Sequence, residues 1–325
     1  MSMNHPKTTS AIPQNATPDR ADRLLAELLK ETFSRSGVAR LIRLGRIRLF
    51  GKAIRPSTIL KPGDVVEIDL ADHEPVLDLA EPAPSVDILF EDEDLIVVNK
   101  PPGLVVHPGA GRPVTTLVDA LVRSRPEMVG VGQPGRWGVV HRLDKDTSGV
   151  MVVAKRDKAY GALSTAFKEH SIHRVYLALV RGEPSIDEGV VDRPLGRHAK
   201  DRKRISTTTT KPRPAITRWK ALQKLGGITL MEVAPKTGRT HQIRVHLAAI
   251  GLPVAGDPVY GRLRKKTTVR DAALRRGLES LKRQALHAAV LGFTHPRSGE
   301  YLEFSAPMPE DMAAVVSMMR SGCKA

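Results

Sequence analysis

Residues Gly138 to Lys155 place opposite demands on the fold within one short stretch. Two apolar segments, Gly138-Val139-Val140 and Val150-Met151-Val152-Val153-Ala154, flank the polar loop His141-Arg142-Leu143-Asp144-Lys145-Asp146-Thr147-Ser148-Gly149. Apolar runs of this kind read as buried strands. The loop between them holds five charged or potentially charged residues, and such a loop is costly unless its charges are tightly paired. A capped turn accounts for Asp146, Thr147 and Gly149, with the two side chains bonding backbone amides ahead of the glycine. That reading leaves Asp144 and Arg142 unexplained, so the loop is a candidate site.

The rest of the region beyond Val86 alternates short strand patterns with helices. Strands are expected at Asp94 to Val98, Ile172 to Val180, Ile228 to Val233 and Tyr301 to Phe304, besides the one ending at Ala154. Helices are expected at about Thr115 to Arg123, Lys158 to Glu169, Thr240 to Ile250 and Val269 to Leu281. Mixing without regular βαβ order predicts an α+β domain with a largely antiparallel mixed sheet. At 325 residues and 41% apolar, the chain can build one such domain and a smaller one.

Charge is segregated along the sequence. Of the net +16, half falls between Arg20 and Pro62, where eleven Lys/Arg face three Asp/Glu. From Asp64 to Asp94 there are twelve acids and no Lys or Arg. This reads as a basic module followed by an acidic connector, and it points to a polyanionic partner. Within the module, Arg23 to Leu29 reads as a short amphipathic helix. Ser34 is a plausible N-cap for a second helix, Arg35 to Leu44, closed by Gly45 and carrying Arg35, Arg40 and Arg43. Alternating strands follow at Arg46 to Phe50 and Asp64 to Ile68. The expected organisation is a disordered tail (1–18), a small N-terminal α+β domain (19–70), an acidic, Pro-containing linker (71–85) and a large domain (86–325).

The lone cysteine, Cys323, excludes disulfides within one chain and a Cys-based zinc site. No apolar run approaches the ~20 residues of a membrane span, and no secretory signal is recognisable. A cytoplasmic location is expected.

A second constellation is Lys236-Thr237-Gly238-Arg239-Thr240-His241-Gln242-Ile243-Arg244-Val245-His246-Leu247. Thr240 suits a helix N-cap. On the helix, His241, Arg244, Val245 and Ala248 share a face at i, i+3, i+4 and i+7. Arg244 then sits among apolar neighbours and needs a carboxylate, for which Asp144 is the economical choice. The alternative is a guanidinium that snorkels to solvent.

These two stretches resemble the signatures of the RluA-type pseudouridine synthases, His141 to Gly149 matching an HRLDxxTSG-like pattern and Thr237 to His246 the second motif. Asn99 to Gly109, Gly256-Asp257-Pro258-Val259-Tyr260-Gly261 and Leu286-His287-Ala288 match further blocks, and the resemblance runs in order from residue 20 to 309. The two helices and basic β unit at roughly 20–70 resemble the alpha-L RNA-binding domain first described in a ribosomal small-subunit protein. One departure is Phe50-Gly51, where that domain commonly has Asn-Gly. Together with the basic insert near 262–283, this is most like members acting on large-subunit ribosomal RNA.

The resemblance implies a pseudouridine synthase fold and isomerisation of uridine to pseudouridine, without metal or other cofactor. Asp144 matches the essential aspartate, Arg244 the arginine that pairs with it and favours its ionised form, and Tyr176 the active-site tyrosine in Arg174-Val175-Tyr176-Leu177. Arg174 stands where the family usually has Lys. Taken alone, Tyr176 reads rather as a core tyrosine with a satisfied hydroxyl, on the same strand face as Arg174 and Ala178. The reaction breaks the bond from base nitrogen to ribose, turns the base and rejoins it through ring carbon five. A carboxylate can attack the anomeric carbon, attack a ring carbon, or act on a sugar proton, and each route needs Asp144 ionised and facing the sugar. Tyr176 is the candidate base for the last proton, and the uridine must be flipped out to reach either group.

With only 4% aromatics, RNA affinity is expected to rest on phosphate contacts and to fall with salt. Arg35, Arg40, Arg43, Arg142, Arg239 and His241 are the expected RNA contacts, helped by basic runs at 197–213 and 262–283. The expected partner is RNA, large-subunit ribosomal RNA or a pre-ribosomal particle, bound by a monomer with no protein partner and no membrane. Two other functions fit parts of the sequence. A metal hydrolase would use His141, His241, His246 and His287, but residues 241 and 246 are five apart and splay on a helix. A non-catalytic RNA-binding or assembly factor would fit the basic module but leave Asp144, Arg244 and Tyr176 without purpose.

Overall fold

A computed structural model describes residues 8–29, 35–43, 45–69, 84–107, 115–133, 135–198, 201, 204–261, 269 and 271–322. Most of the expected linker (71–83) and part of the basic insert (262–268 and 270) lie outside the described residues.

The large domain is built on a nine-stranded sheet. Its strands are β1 (Asp87–Glu91), β2 (Leu95–Lys100), β3 (Ser148–Ala154), β4 (His173–Arg181), β5 (Glu188–Asp192), β6 (Ile216–Leu225), β7 (Ile228–Pro235), β8 (Leu286–Thr294) and β9 (Tyr301–Ser305). They run in the order β5-β6-β7-β4-β8-β3-β2-β1, with β9 also on β8. Neighbours are antiparallel except β3 and β8, which meet in parallel over Ser148↔His287 and Gly149↔Ala288. The architecture is therefore the expected α+β one. β1, β5, β6 and β8 were not among the expected strands, and Gly138-Val139-Val140 forms a single bridge, Val139 to Val153, rather than a strand.

The strand β3 is buried along its whole length, and its alternate side chains are covered by different helices. Val150, Val152 and Ala154 pack with Ala159 and Leu163 of helix α4 (Asp157–Lys168). Met151 and Val153 pack with Leu117, Val118 and Leu121 of α3 (Leu117–Ser124), together with Leu143 from the polar loop. On the other half of the sheet, Ile243 and Leu247 of α5 (Gln242–Ala249) pack on Ala178, Val180, Met231 and Val233. Helices α6 (Ala272–Ser280) and α7 (Glu310–Gly322) bury Leu274, Leu278, Met312, Val315 and Met319 against Leu179 and Leu230. At about 1.5–3 kcal/mol for each large apolar side chain fully buried, these clusters fasten each set of helices to its own half of the sheet. Loops from both halves then meet across β4.

The first eighteen residues are not a loose tail throughout. Thr8–Ala11 pairs antiparallel with Val65–Ile68, and Ile12 is buried beside Leu25, Val38 and Leu60. The alternation Thr9-Ser10-Ala11-Ile12 was hidden by its polar composition; burial of Ile12 anchors it. The N-terminal unit adds Ile47–Leu49, paired with both Val65–Ile68 and Lys52–Ala53, and the helices α1 (Ala21–Leu28) and α2 (Arg35–Arg43). Phe50 sits at the hairpin tip with φ +47°, exposed. Asn adopts that left-handed backbone more readily than a bulky residue does.

Among the described residues no helix is long and apolar enough to cross a membrane.

Candidate active site

A cleft of about 580 Å³ is lined by His141, Arg142, Asp144, Arg174, Tyr176, Gly238, Arg239, His241 and Arg244, with Phe167 and Lys168 from α4. Its floor is the loop that precedes β3. Gly149 has φ +116°, and a Cβ there would lie 2.1 Å from the Ala288 carbonyl oxygen. Only glycine lets β3 approach β8 at that point and so aims the preceding loop.

The loop is held from behind by two cations. Fully buried Lys100 donates from Nζ to the carbonyls of Pro101 (2.8 Å), Leu104 (2.9 Å) and Lys145 (2.9 Å). Arg283 donates from Nη1 to the Asp146 carbonyl (3.1 Å) while its Nη2 reaches Asp311 of α7 (2.7 Å). Two consecutive carbonyls after Asp144 are thus fixed. Burial pushes the Lys100 ammonium down to about 7, against the attraction of Asp146 and Asp144. In the loop itself, the Asp144 carbonyl accepts from the Thr147 amide (3.1 Å).

Arg244 organises the opposite wall. Its Nη1 donates to Asp144 Oδ2 (2.9 Å), as expected. Its remaining edge is occupied by Asp257, to which the sequence alone assigns no role: Nε donates to Oδ2 (2.6 Å) and Nη2 to Oδ1 (2.9 Å). The Asp257 side chain has no exposure, Arg244 has 5% and Asp144 has 19%, so Asp144 is the carboxylate left open to the cleft. Asp257 Oδ1 also accepts from the amides of Val259 and Tyr260 (2.8 and 2.9 Å). Burial works against the guanidinium's charge, but the hydrogen bonds and attraction of Asp257, then of Asp144, outweigh it and raise its pKa. Burial would raise Asp257, but Arg244 and the two amides hold its carboxyl below the ordinary value. Arg244 also lies 5.1 Å over the Tyr260 ring.

The helix α5 starts differently from expectation. Thr240 does not cap it. The N-cap is His241, in left-handed conformation (φ +54°), and Gln242 Oε1 accepts from Thr237 Oγ1 (2.7 Å) and the Arg239 amide (3.0 Å) to hold the turn. This places His241 Nδ1 3.0 Å from the Tyr260 hydroxyl and its Nε2 3.9 Å from Asp144 Oδ1. Burial lowers the His241 pKa, with Asp144 opposing.

Tyr176 lines the cleft from β4, half-buried, paired with Val233 and Ala288 beside a bulge between Val175 and Tyr176. Burial raises its phenol pKa, opposed by the Arg174 charge and reinforced by Asp144. The structure thus brings Asp144, Arg244, Tyr176, Arg142, Arg239 and His241 to one cleft. Arg239 is exposed and donates from Nε to the Pro214 carbonyl (3.2 Å). Arg35 and Arg43 are exposed on α2 outside the cleft, and Arg35 is bonded to buried Asp22 (2.8 Å). The Arg40 side chain lies outside the described residues.

The four histidines of the metal-hydrolase reading do not converge. His246 bonds Thr217 Oγ1 and the Arg193 carbonyl, and His287 bonds Ser148 and the Ala306 carbonyl. His141 accepts from the Val152 amide through Nε2 (3.1 Å) and stacks on Phe167.

A family model described as RNA pseudouridylate synthase matches residues 94–249. Over 318 residues the chain is 41% identical to a Bacillus subtilis protein named uncharacterized RNA pseudouridine synthase YlyB, spanning 98% of this chain and 99% of that one. It is also 41% identical to ribosomal large subunit pseudouridine synthase D of Xanthomonas campestris, spanning 96% of this chain and 92% of the relative. Among solved structures, human RNA pseudouridylate synthase domain containing 4 matches with a TM-score of 0.56 and 25% identity, over 72% of this chain and 93% of that chain.

Proposed function

From the premise that this chain belongs to the RNA pseudouridylate synthase family, carries its fold and is a pseudouridine synthase, we propose that Asp144 is its catalytic carboxylate and that its substrate is large-subunit ribosomal RNA. The observation that carries the first part is the Asp144–Arg244 pair: one carboxylate oxygen held at 2.9 Å by a buried guanidinium, at the floor of a nucleotide-sized cleft. Because Asp257 already neutralises Arg244 from behind, the arginine is fixed before substrate arrives and can orient Asp144 without being displaced. Among the described residues Oδ1 accepts no hydrogen bond, with His241 Nε2 3.9 Å away, and it is the oxygen available to the flipped nucleotide.

In the reaction the bond from ring nitrogen to the anomeric carbon breaks, the base turns, and ring carbon five bonds to the sugar. Ring carbon five then loses its proton and the freed ring nitrogen gains one. We assign the removal of that proton to Tyr176. Burial makes its phenolate scarce at neutral pH but strongly basic once formed.

The ribosomal part of the reading rests on the name of the Xanthomonas relative and on the basic N-terminal unit. We take the N-terminal unit, residues 19–70 together with the strand Thr8–Ala11 that pairs with it, as the RNA-holding domain. Helix α2 comes within 8 Å, Cα to Cα, of Gly132–Gln133, and Gln133 and Arg136 line the cleft mouth. RNA held on Arg35, Arg40 and Arg43 would therefore be led toward Arg142, Arg239 and His241. On this reading the protein works in the cytoplasm as a monomer.

The test is to map pseudouridines in ribosomal and transfer RNA from cells with and without this chain, and to restore the chain as wild type or as Asp144→Asn. Loss of large-subunit pseudouridines, restored by the wild type alone, is expected. An unchanged large-subunit map contradicts the substrate assignment; restoration by Asp144→Asn contradicts the catalytic one.

A further inference from the structure

We infer that Arg174 is a phosphate anchor for the nucleotide drawn into the cleft, an inference that rests on reading the cleft as the uridine site. Arg174 is 9% exposed, yet it lines the cleft and its Nε has no hydrogen-bond partner. Its Nη2 donates only to the carbonyls of Pro235 (3.1 Å) and Lys236 (3.5 Å), and among the described residues no ion pair includes it.

A buried guanidinium without an anion is expensive, and two other buried cations of this domain show what compensation looks like. Arg244 has two carboxylates and Lys100 has three carbonyls. The surroundings of Arg174 leave space rather than a counter-charge. A Cβ on Gly238 would stand 3.3 Å from Arg174 Nη1, so that glycine leaves room for the fork. The guanidinium lies 5.8 Å over the Phe167 ring, and Phe167 stacks in turn on His141 (4.4 Å). Its plane is thus fixed by packing. A planar, oriented, desolvated guanidinium matches the two free oxygens of a phosphodiester. In an RNA substrate the anion that can reach it is the phosphate next to the extruded uridine.

The probe is a stem–loop of large-subunit ribosomal RNA containing the target uridine, bound and converted by wild type, Arg174→Gln, Arg174→Lys and Gly238→Ala over a range of salt. Arg174→Gln is expected to raise Kd roughly tenfold to a hundredfold, as for loss of a charged hydrogen bond. It should also reduce the slope of log Kd against log salt by about one. KM should rise with kcat nearly unchanged, Arg174→Lys should recover the slope, and Gly238→Ala should weaken binding in the same direction. A neutral methylphosphonate beside the target uridine should weaken the wild type but not Arg174→Gln. A wild-type salt slope and an undiminished methylphosphonate penalty in Arg174→Gln would overturn the inference, as would a change confined to the pH profile, which would assign Arg174 to Tyr176 instead. Asp144→Asn run in parallel separates the two readings. If it stays active, the catalytic assignment fails; if it is inactive while Arg174→Gln binds as wild type, only the phosphate anchor fails.

Discussion

The two walls of the cleft each bury an arginine, and they treat its charge in opposite ways. On the α5 wall, Arg244 is bonded to Asp144 and Asp257 and stacked on Tyr260. On the β4 wall, Arg174 is also buried and has backbone carbonyls and the Phe167 ring, but among the described residues no carboxylate. The contrast teaches that burial of a cation does not define its work; its compensation does. A neutralised guanidinium is a fixed strut, suited to orienting a catalytic carboxylate. An uncompensated one is an unfilled anion site.

Removing Asp257 should break this contrast most severely. Asp257→Asn keeps acceptors for the Val259 and Tyr260 amides but strips half the counter-charge from Arg244. Stability should fall by about 3 kcal/mol, read as a denaturant midpoint with unchanged slope. A neutral result would mean that Arg244 does not depend on Asp257. Next in size, Arg244→Lys preserves charge but loses the fork that spans both carboxylates, and kcat/KM should drop on the order of 100-fold with a smaller change in RNA affinity. Equal losses in binding and turnover would argue against a purely orienting role.

The β4 wall should respond with the opposite sign in stability. Arg174→Gln, which deletes an uncompensated charge, should leave stability within about 1 kcal/mol or raise it. A loss as large as that of Asp257→Asn would show that Arg174 has a structural counter-charge. The smallest expected effect concerns His141, whose pKa is pushed down to about 3 by burial and then by Arg174. The folded value lies below the unfolded value near 6.5, so the unfolded chain takes up the proton first. This contribution is complete above about pH 6.5 and is lost as pH falls toward 3. In Arg174→Gln the loss should be shallower, because one cause of the depression is gone. Parallel acid limbs in the two proteins would place Arg174 too far from His141 to matter.

Much of the site was legible in the sequence because its parts break local rules. Asp144 in a loop between apolar segments and Arg244 on an apolar helix face each called for a partner, and each is the other's. Asp257 was missed, although a signal existed: a guanidinium has five N–H donors, and one carboxylate cannot satisfy them in an apolar setting. The capping prediction for Thr240 failed because Gln242 folds back on the turn and His241 takes the left-handed position, a competition between side chains that a propensity cannot resolve. The overall α+β class followed from element order. The parallel contact of β3 with β8 did not, since it joins residues 139 apart through a glycine whose need for close approach is visible only in three dimensions.

The most direct test is single-turnover conversion of uridine by Asp144→Asn on a bound large-subunit ribosomal RNA fragment, with affinity measured on the same sample. Binding within a few-fold of wild type and no detectable pseudouridine is the predicted result. Pseudouridine formed at a rate near that of the wild type would show that the oxygen held by Arg244 is not the one that does the chemistry.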